Sequence, residues 1–227
     1  MNNKIKFLIL NVALILTSCG IFKTHDKDKL INFENNDIAT GAIQLDGYYY
    51  IEFEREAQTH DNVTDEKVKC IDVFYIYEDG YLIYISRIDG VTKYICAGKE
   101  TFENSFKEAH RTVELMVSAH NNSNKKRMCR IDPLDVHHKG LVKIDRDNIK
   151  IQFYQLEHQI PGKDSFNSAY LYELNGTVIS DSSFTIQSET EFRNNKTTAK
   201  TVTYKFKKTE NKPNLINYFR SKMKKRS

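Results

Sequence analysis

Alternating apolar and polar positions, rich in aromatic and β-branched residues, predict β-strands over most of the chain after residue 42. Four such runs come first: residues 43–54, 70–77, 81–88 and 91–96. Asp-Gly pairs at 79–80 and 89–90 separate the last three runs, and Asp-Gly between apolar runs is a strong signal for a two-residue hairpin loop. We therefore expect a meander of three strands here.

Two-residue loops fix which residues face each other across this meander. In that register Phe74 lies opposite Ile85, so the apolar faces of the strands match. Cys70 and Cys96 then lie about 20 Å apart along the strands, which excludes a disulfide between them.

Residues 101–120 follow a helical period instead. Apolar and aromatic side chains recur at spacings of three and four, at Phe102, Phe106, Ala109, Val113, Met116 and His120. Thr101 is a candidate N-cap, and Asn121 and Asn122 are candidate terminators. This pattern predicts an amphipathic helix that packs on the sheet.

The second half of the chain returns to strand patterns. Three hairpins are predicted, with turns at residues 146–147, 175–176 and 194–196. The last of them pairs residues 183–193 with residues 197–207 and places Phe184 opposite Phe206. Apolar spacing after Pro213 predicts a short C-terminal helix.

These elements predict the fold class. Nine or so strands in successive hairpins, without alternation of strands and helices, are typical of an antiparallel barrel or sandwich. Closure removes the exposed edges of aromatic strands, so we favour the barrel. The prediction is a mainly β protein: a single antiparallel up-and-down β-barrel with one inserted amphipathic helix, at about residues 101–120, and a short C-terminal helix.

The N-terminus has the layout of a secretory signal. Lys4 and Lys6 precede an apolar run over residues 7–16, which is too short to span a bilayer as a helix. The following segment, Leu16-Thr17-Ser18-Cys19, resembles the lipobox of bacterial lipoproteins. The resemblance implies that residues 1–18 are a signal peptide and that Cys19 is acylated, which anchors the mature protein in the lipid bilayer.

The resemblance also implies a location. Gly20 stands where the family's inner-membrane retention signal carries Asp, so the protein is expected at the outer membrane. Residues 20–24 lack the acidic run that some such bacteria use for surface display, so the domain is expected to face the periplasm. Residues 19–42 would form the lipidated Cys and a flexible polar tether, and residues 43–227 the barrel domain with a basic C-terminal tail.

Four strings point to a family: LDGYYYIEF, DVFYIYEDGYLIYI, GLVKIDRDNIKIQFY and NKPNLINYF. Together they resemble a group of uncharacterised bacterial lipoproteins whose domain is lipocalin-like, over about residues 43–220. The resemblance implies a fold and an envelope location, and it assigns no activity.

Charge content bears on the class of binding partner, and cysteine content bears on the disulfides that can form. The chain has 34 Lys and Arg against 30 Asp and Glu, so no nucleic-acid partner is predicted. Cys70, Cys96 and Cys129 remain after Cys19, and an oxidising compartment allows one disulfide and one free thiol. With Cys70–Cys96 excluded, the pairings that stay open join Cys129 to Cys70 or to Cys96.

No common catalytic motif occurs, and no catalytic residue, cofactor or metal is predicted. His137 and His138 are adjacent, and neighbours on a strand point to opposite faces, so they do not form a metal site by themselves. Glu52 and Glu54 share one strand face and would suit glycoside hydrolysis only if they pointed into a cavity.

The sequence thus favours an anchored, non-enzymatic binding module for a small apolar ligand or lipid held inside the barrel. The alternative is a barrel filled by its own side chains that binds other envelope proteins, and the remote alternative is a glycoside hydrolase using Glu52 and Glu54. The test is whether the predicted inward residues Phe74, Ile76, Ile85, Val142 and Ile151 enclose a void or touch across it. Ligand identity, membrane face, disulfide pairing and oligomeric state stay open.

Overall fold

Successive hairpins build a sheet that curls back on itself. The computed structural model describes residues 23–34, 36–58, 66–94, 97–122, 131, 135–157 and 168–222. The strands in these ranges are β1 (Lys23–Thr24), β2 (Gly47–Glu56), β3 (Lys67–Ile76), β4 (Tyr81–Asp89), β5 (Lys139–Asp145), β6 (Asn148–Glu157), β7 (Ser168–Ser180), β8 (Ser183–Glu191) and β9 (Lys196–Lys208). The helices are α1 (Phe106–Asn122) and α2 (Tyr218–Lys222), and Lys27–Lys29 form a 3-10 turn.

The strands β2 to β9 form a closed barrel. Each pairs antiparallel with the next, and β9 pairs with β2. This arrangement confirms the predicted up-and-down barrel with one main helix inserted, between β4 and β5, and a short C-terminal helix. The barrel has eight strands, whereas nine or so were predicted. The strand β1 lies outside this closure, since it pairs parallel with Ser168 and Ala169 at the start of β7.

The helix α1 begins later than predicted. Ser105 caps it in place of Thr101, because the Ser105 hydroxyl accepts a hydrogen bond from the backbone N–H of Glu108 at 3.2 Å. Phe102 lies before the helix with 43% of its surface exposed. The rest of the predicted stripe is buried or half-buried: Phe106, Ala109, Val113, Met116 and His120. The helix ends at Asn122, as predicted.

The predicted strand 91–96 is wrong over its described residues, 91–94. The Asp89 carboxylate accepts hydrogen bonds from the backbone N–H groups of Val91 and Thr92, at 3.0 and 2.6 Å, and from the Thr92 hydroxyl at 2.9 Å. These bonds hold the chain in a turn that leaves the sheet. The strand β5 takes the place next to β4.

The register between β3 and β4 differs from the prediction near the turn. Phe74 lies opposite Tyr84, one residue away from Ile85, because the loop spans residues 78–80 with Gly80 at φ 70°. A β-bulge then restores the predicted register, and Cys70 faces Asp89.

Two later turn predictions also need correction, whereas the hairpin at 146–147 is confirmed. Asn175 and Gly176 lie inside the continuous strand β7, at a bulge where a Cβ on Gly176 would sit 2.1 Å from the backbone oxygen of Thr185. Glycine is therefore needed here for close approach of two strands. Phe184 faces Tyr204 in place of Phe206, because the β8–β9 loop covers residues 192–195 and a β-bulge between Ile186 and Ser188 then shifts the register by one residue.

The barrel has two large apolar clusters on opposite faces of the sheet, because alternate side chains along a strand point to opposite faces. A small third cluster consists of Val68, Cys70 and Val91. The interior cluster receives side chains from each of β2 to β9, and its buried rings are Tyr49, Phe74, Tyr84, Phe153, Phe184 and Tyr204. The outer cluster packs the opposite face of the strands against Val113 and Met116 of α1 and Phe219 of α2. Both faces of the sheet are therefore covered by buried apolar side chains where the helices pack on it.

The segment treated above as a tether lies on the barrel from Lys23 onward. Leu30, Ile31 and Phe33 pack against the outer cluster, because they are apolar side chains in an otherwise polar stretch. Farther along, Ile38 and Ile43 contact the interior cluster at the end of the barrel that holds the 78–80 loop. The N-terminal segment thus covers one side and one end of the barrel.

Candidate binding groove on the outer face of the barrel

The barrel interior is occupied by its own side chains. Ring centroids of Phe74 and Tyr84 lie 4.8 Å apart, those of Phe74 and Tyr204 5.0 Å, and those of Tyr84 and Phe153 4.6 Å. The contact between Phe74 on β3 and Tyr204 on β9 bridges the intervening strand β2, and the contact between Tyr49 and Phe184, at 5.0 Å, bridges β9. Rings at these distances are in direct contact, so they fill this part of the barrel.

Four of the five predicted inward residues do point inward. Phe74, Ile76, Val142 and Ile151 belong to the interior cluster and are at most 1% exposed. Ile85 belongs to the outer cluster, since the one-residue shift of register on β4 sends its side chain to the opposite face.

Glu52 and Glu54 lie on the outer face of β2, because Tyr49 and Ile51 take the inward positions. The Glu52 carboxylate is 3.4 Å from His110 Nε2 on α1, and the Glu54 carboxylate is 3.9 Å from the Lys67 ammonium. Neither carboxylate points into the barrel, which was the condition for the hydrolase hypothesis.

Glu52 instead ends a polar chain that fixes α1 on the barrel. The Tyr48 hydroxyl lies 2.9 Å from His110 Nδ1, so the imidazole bridges Tyr48 and Glu52. Burial lowers the pKa of His110 and the nearby Lys207 ammonium adds to this, whereas the Glu52 hydrogen bond and the charges of Glu52 and Glu114 oppose it. The net result is that the pKa of the His110 imidazole lies below its ordinary value.

A groove of about 690 Å³ opens on the outer face of β5 to β8, alongside the N-terminal segment. Volumes of this order are typical of ligand sites. Most of its lining side chains are polar, and six carry carboxamides: Asn32, Asn36, Asn148, Gln152, Asn175 and Gln187. The sequence predicted none of these as a site, since each is an ordinary polar residue in its own segment.

Gln152 builds one wall of the groove. Only 2% of the surface of Gln152 is exposed. Its Oε1 accepts a hydrogen bond from the Ile31 N–H at 2.7 Å, and its Nε2 donates one to the Lys29 carbonyl at 3.0 Å. A second carboxamide acts likewise, because Asn36 donates to the Val142 carbonyl at 2.5 Å. These bonds join the N-terminal segment to β5 and β6.

The Glu173 carboxylate is a negatively charged group on the floor of the groove. It accepts hydrogen bonds from Gln152 Nε2 at 2.7 Å and from Asn175 Nδ2 at 3.0 Å, and the Lys150 ammonium lies 3.3 Å away. Burial by itself raises the pKa of Glu173, but the hydrogen bonds from Asn175 and Gln152 and the charge of Lys150 outweigh it and keep the pKa below its usual value. The carboxylate is therefore ionised and orients its neighbours.

The cysteines are only partly described. Cys70 is buried with a free thiol, and burial raises the pKa of this thiol to about 11. Cys19, Cys96 and Cys129 lie outside the described residues.

No family model matches the chain, and neither a curated protein nor a solved structure does. Within the described residues, no helix has the length and apolar character needed to cross a membrane.

His110 predicts a pH dependence of stability. Its folded-state pKa is below the ordinary 6.5, so as pH falls through 6.5 the unfolded chain takes up this proton first and folding stability declines. We expect the stability advantage of the wild type over His110→Gln to shrink as the pH is lowered from about 7.5 to about 5.5 in urea unfolding. An advantage that stays constant or grows toward low pH would contradict this.

Gln152 predicts a local effect on the groove wall. Replacing it with Ala leaves the Ile31 N–H and the Lys29 carbonyl without their partner, at a cost of about 1–3 kcal/mol. Hydrogen exchange should therefore accelerate at the Ile31 amide in Gln152→Ala. The control is Gln155→Ala on the same strand, for which exchange at Ile31 should be unchanged, and equal rates in all three proteins would refute the assignment.

Proposed function

We propose that the protein is a lipid-anchored module of the bacterial cell envelope that recognises its partner on the outer surface of a filled barrel. The main support for this proposal is that aromatic rings inside the barrel contact one another across an intervening strand. An eight-stranded barrel is just wide enough either to be filled by side chains or to hold one small ligand. The rings of Phe74, Tyr84 and Tyr204 take the space that an apolar ligand would need.

The anchor and the location rest on the sequence. The lipobox resemblance at Leu16–Cys19 supports acylation of Cys19, and Gly20 supports the outer membrane. The lack of an acidic run in residues 20–24 supports a domain that faces the periplasm. Acyl chains give stable anchoring only in pairs or with a second signal, which the lipoprotein pattern supplies. The proposal includes no catalytic step, and the expected partners are other components of the cell envelope.

Native mass spectrometry of residues 20–227, expressed in the periplasm without the anchor, tests the filled barrel. We expect the same mass before and after denaturation, because the interior rings contact one another across the strands where a guest would sit. Loss of a bound lipid or other apolar molecule on denaturation would overturn the proposal in favour of a carrier.

Metabolic labelling with a radioactive fatty acid tests the anchor. The wild-type protein should carry label and sediment with membranes, whereas Cys19→Ser should lose the label, because the serine hydroxyl cannot replace the thiol in the lipoprotein pattern. Cys70→Ser is the matched control and should keep both properties. Label retained by Cys19→Ser would disprove the assigned attachment site.

A further inference from the structure

The groove between the N-terminal segment and β5 to β8 contains carboxamide side chains that make at most one hydrogen bond within the described part of the protein. Asn36 and Gln152 are bound to backbone groups, whereas Asn148 is exposed and makes no side-chain hydrogen bond within the described part of the chain. Gln187 is also exposed, and its Nε2 makes one long bond, 3.3 Å, to the Thr177 hydroxyl. A carboxamide offers a donor and an acceptor side by side, which matches neighbouring hydroxyl groups.

The charges of the groove are close to balanced. The Lys29 ammonium is paired with Asp26 at 2.9 Å, and the Lys150 ammonium lies 3.3 Å from the Glu173 carboxylate. Lys143 and Asp145 add one charge of each sign. Phosphate-rich ligands need clustered, uncompensated cations. The groove is therefore suited to a neutral ligand.

The floor gives no place for a peptide strand or an apolar anchor. β6 and β7 are paired on both sides, so this floor has no free strand edge to which a peptide could add. Ile31 and Ile149 are the only large apolar residues among the groove's lining residues described here. A ligand that fits must present many hydroxyl groups and little apolar surface.

We propose that this groove binds a neutral saccharide, with the carboxamides of Asn148 and Gln187 hydrogen-bonding its hydroxyls. The Asn175 and Lys150 side chains, held by Glu173, form the floor under the sugar. This inference rests on the proposed function, because it names the ligand class that the outer surface recognises.

The test is titration of the full-length protein, purified in a detergent without a sugar headgroup, with neutral oligosaccharides: β-glucan, maltose-type and N-acetylglucosamine oligomers. We expect at least one series to bind, and the double variant Asn148→Ala/Gln187→Ala to bind about tenfold or more weakly, since it loses two hydrogen-bonding groups. Asn211→Ala is the matched control, because Asn211 is exposed and lies outside the groove. Its affinity should equal that of the wild type.

Two results overturn the inference. One is the absence of binding to all three series, and the other is binding that the double variant leaves unchanged. Both variants replace exposed side chains, so loss of folding does not confuse the result. Failure here is distinct from failure of the proposed function, which native mass spectrometry decides by whether the interior holds a guest. Binding of peptides with no binding of any sugar series is a case of the first result, and it leaves outer-surface recognition standing.

Discussion

Closure of β9 onto β2 is the constraint on which the rest of the structure depends. Eight strands fix the diameter, and large aromatic residues at inward positions then contact one another across intervening strands. Because the interior is dry and occupied, the polar side chains that could contact another molecule lie on the outer face. The helices α1 and α2 cover one part of that face, which leaves the region of β5 to β8 and the N-terminal segment for recognition.

The sequence predicted the barrel because its signal is local. Strand faces, the 146–147 turn and the periodicity of α1 all depend on residues within a few positions of one another. The predictions were wrong where a side chain takes backbone N–H groups out of the hydrogen bonding between strands, and where two neighbouring strands approach each other closely. Asp89 turns the chain out of the sheet through its carboxylate, and Gly176, which resembled a turn residue, instead permits close approach inside β7.

The groove could not be predicted for a different reason. Gln152 and Ile31 are 121 residues apart, and neither has a pattern that indicates the other. Strand alternation sends Gln152 to the face of β6 opposite Ile151, and the folded N-terminal segment buries it there as a wall of the groove. The apolar residues Ile31 and Phe33, isolated within the supposed tether, were the one signal that this segment packs on the domain.

The parallel pairing of β1 with the start of β7 also sets an orientation. Only residues 20–22 separate Lys23 from Cys19, and even fully extended this stretch spans about 14 Å. If Cys19 is acylated as proposed, the Ser168 end of β7 would be held close to the bilayer. Gly176 in the groove lies some eight residues farther along β7, roughly 25 Å toward the opposite end. The groove would then open away from the membrane, toward molecules in the adjoining aqueous space, while the rim near Ser168 faces the lipid headgroups.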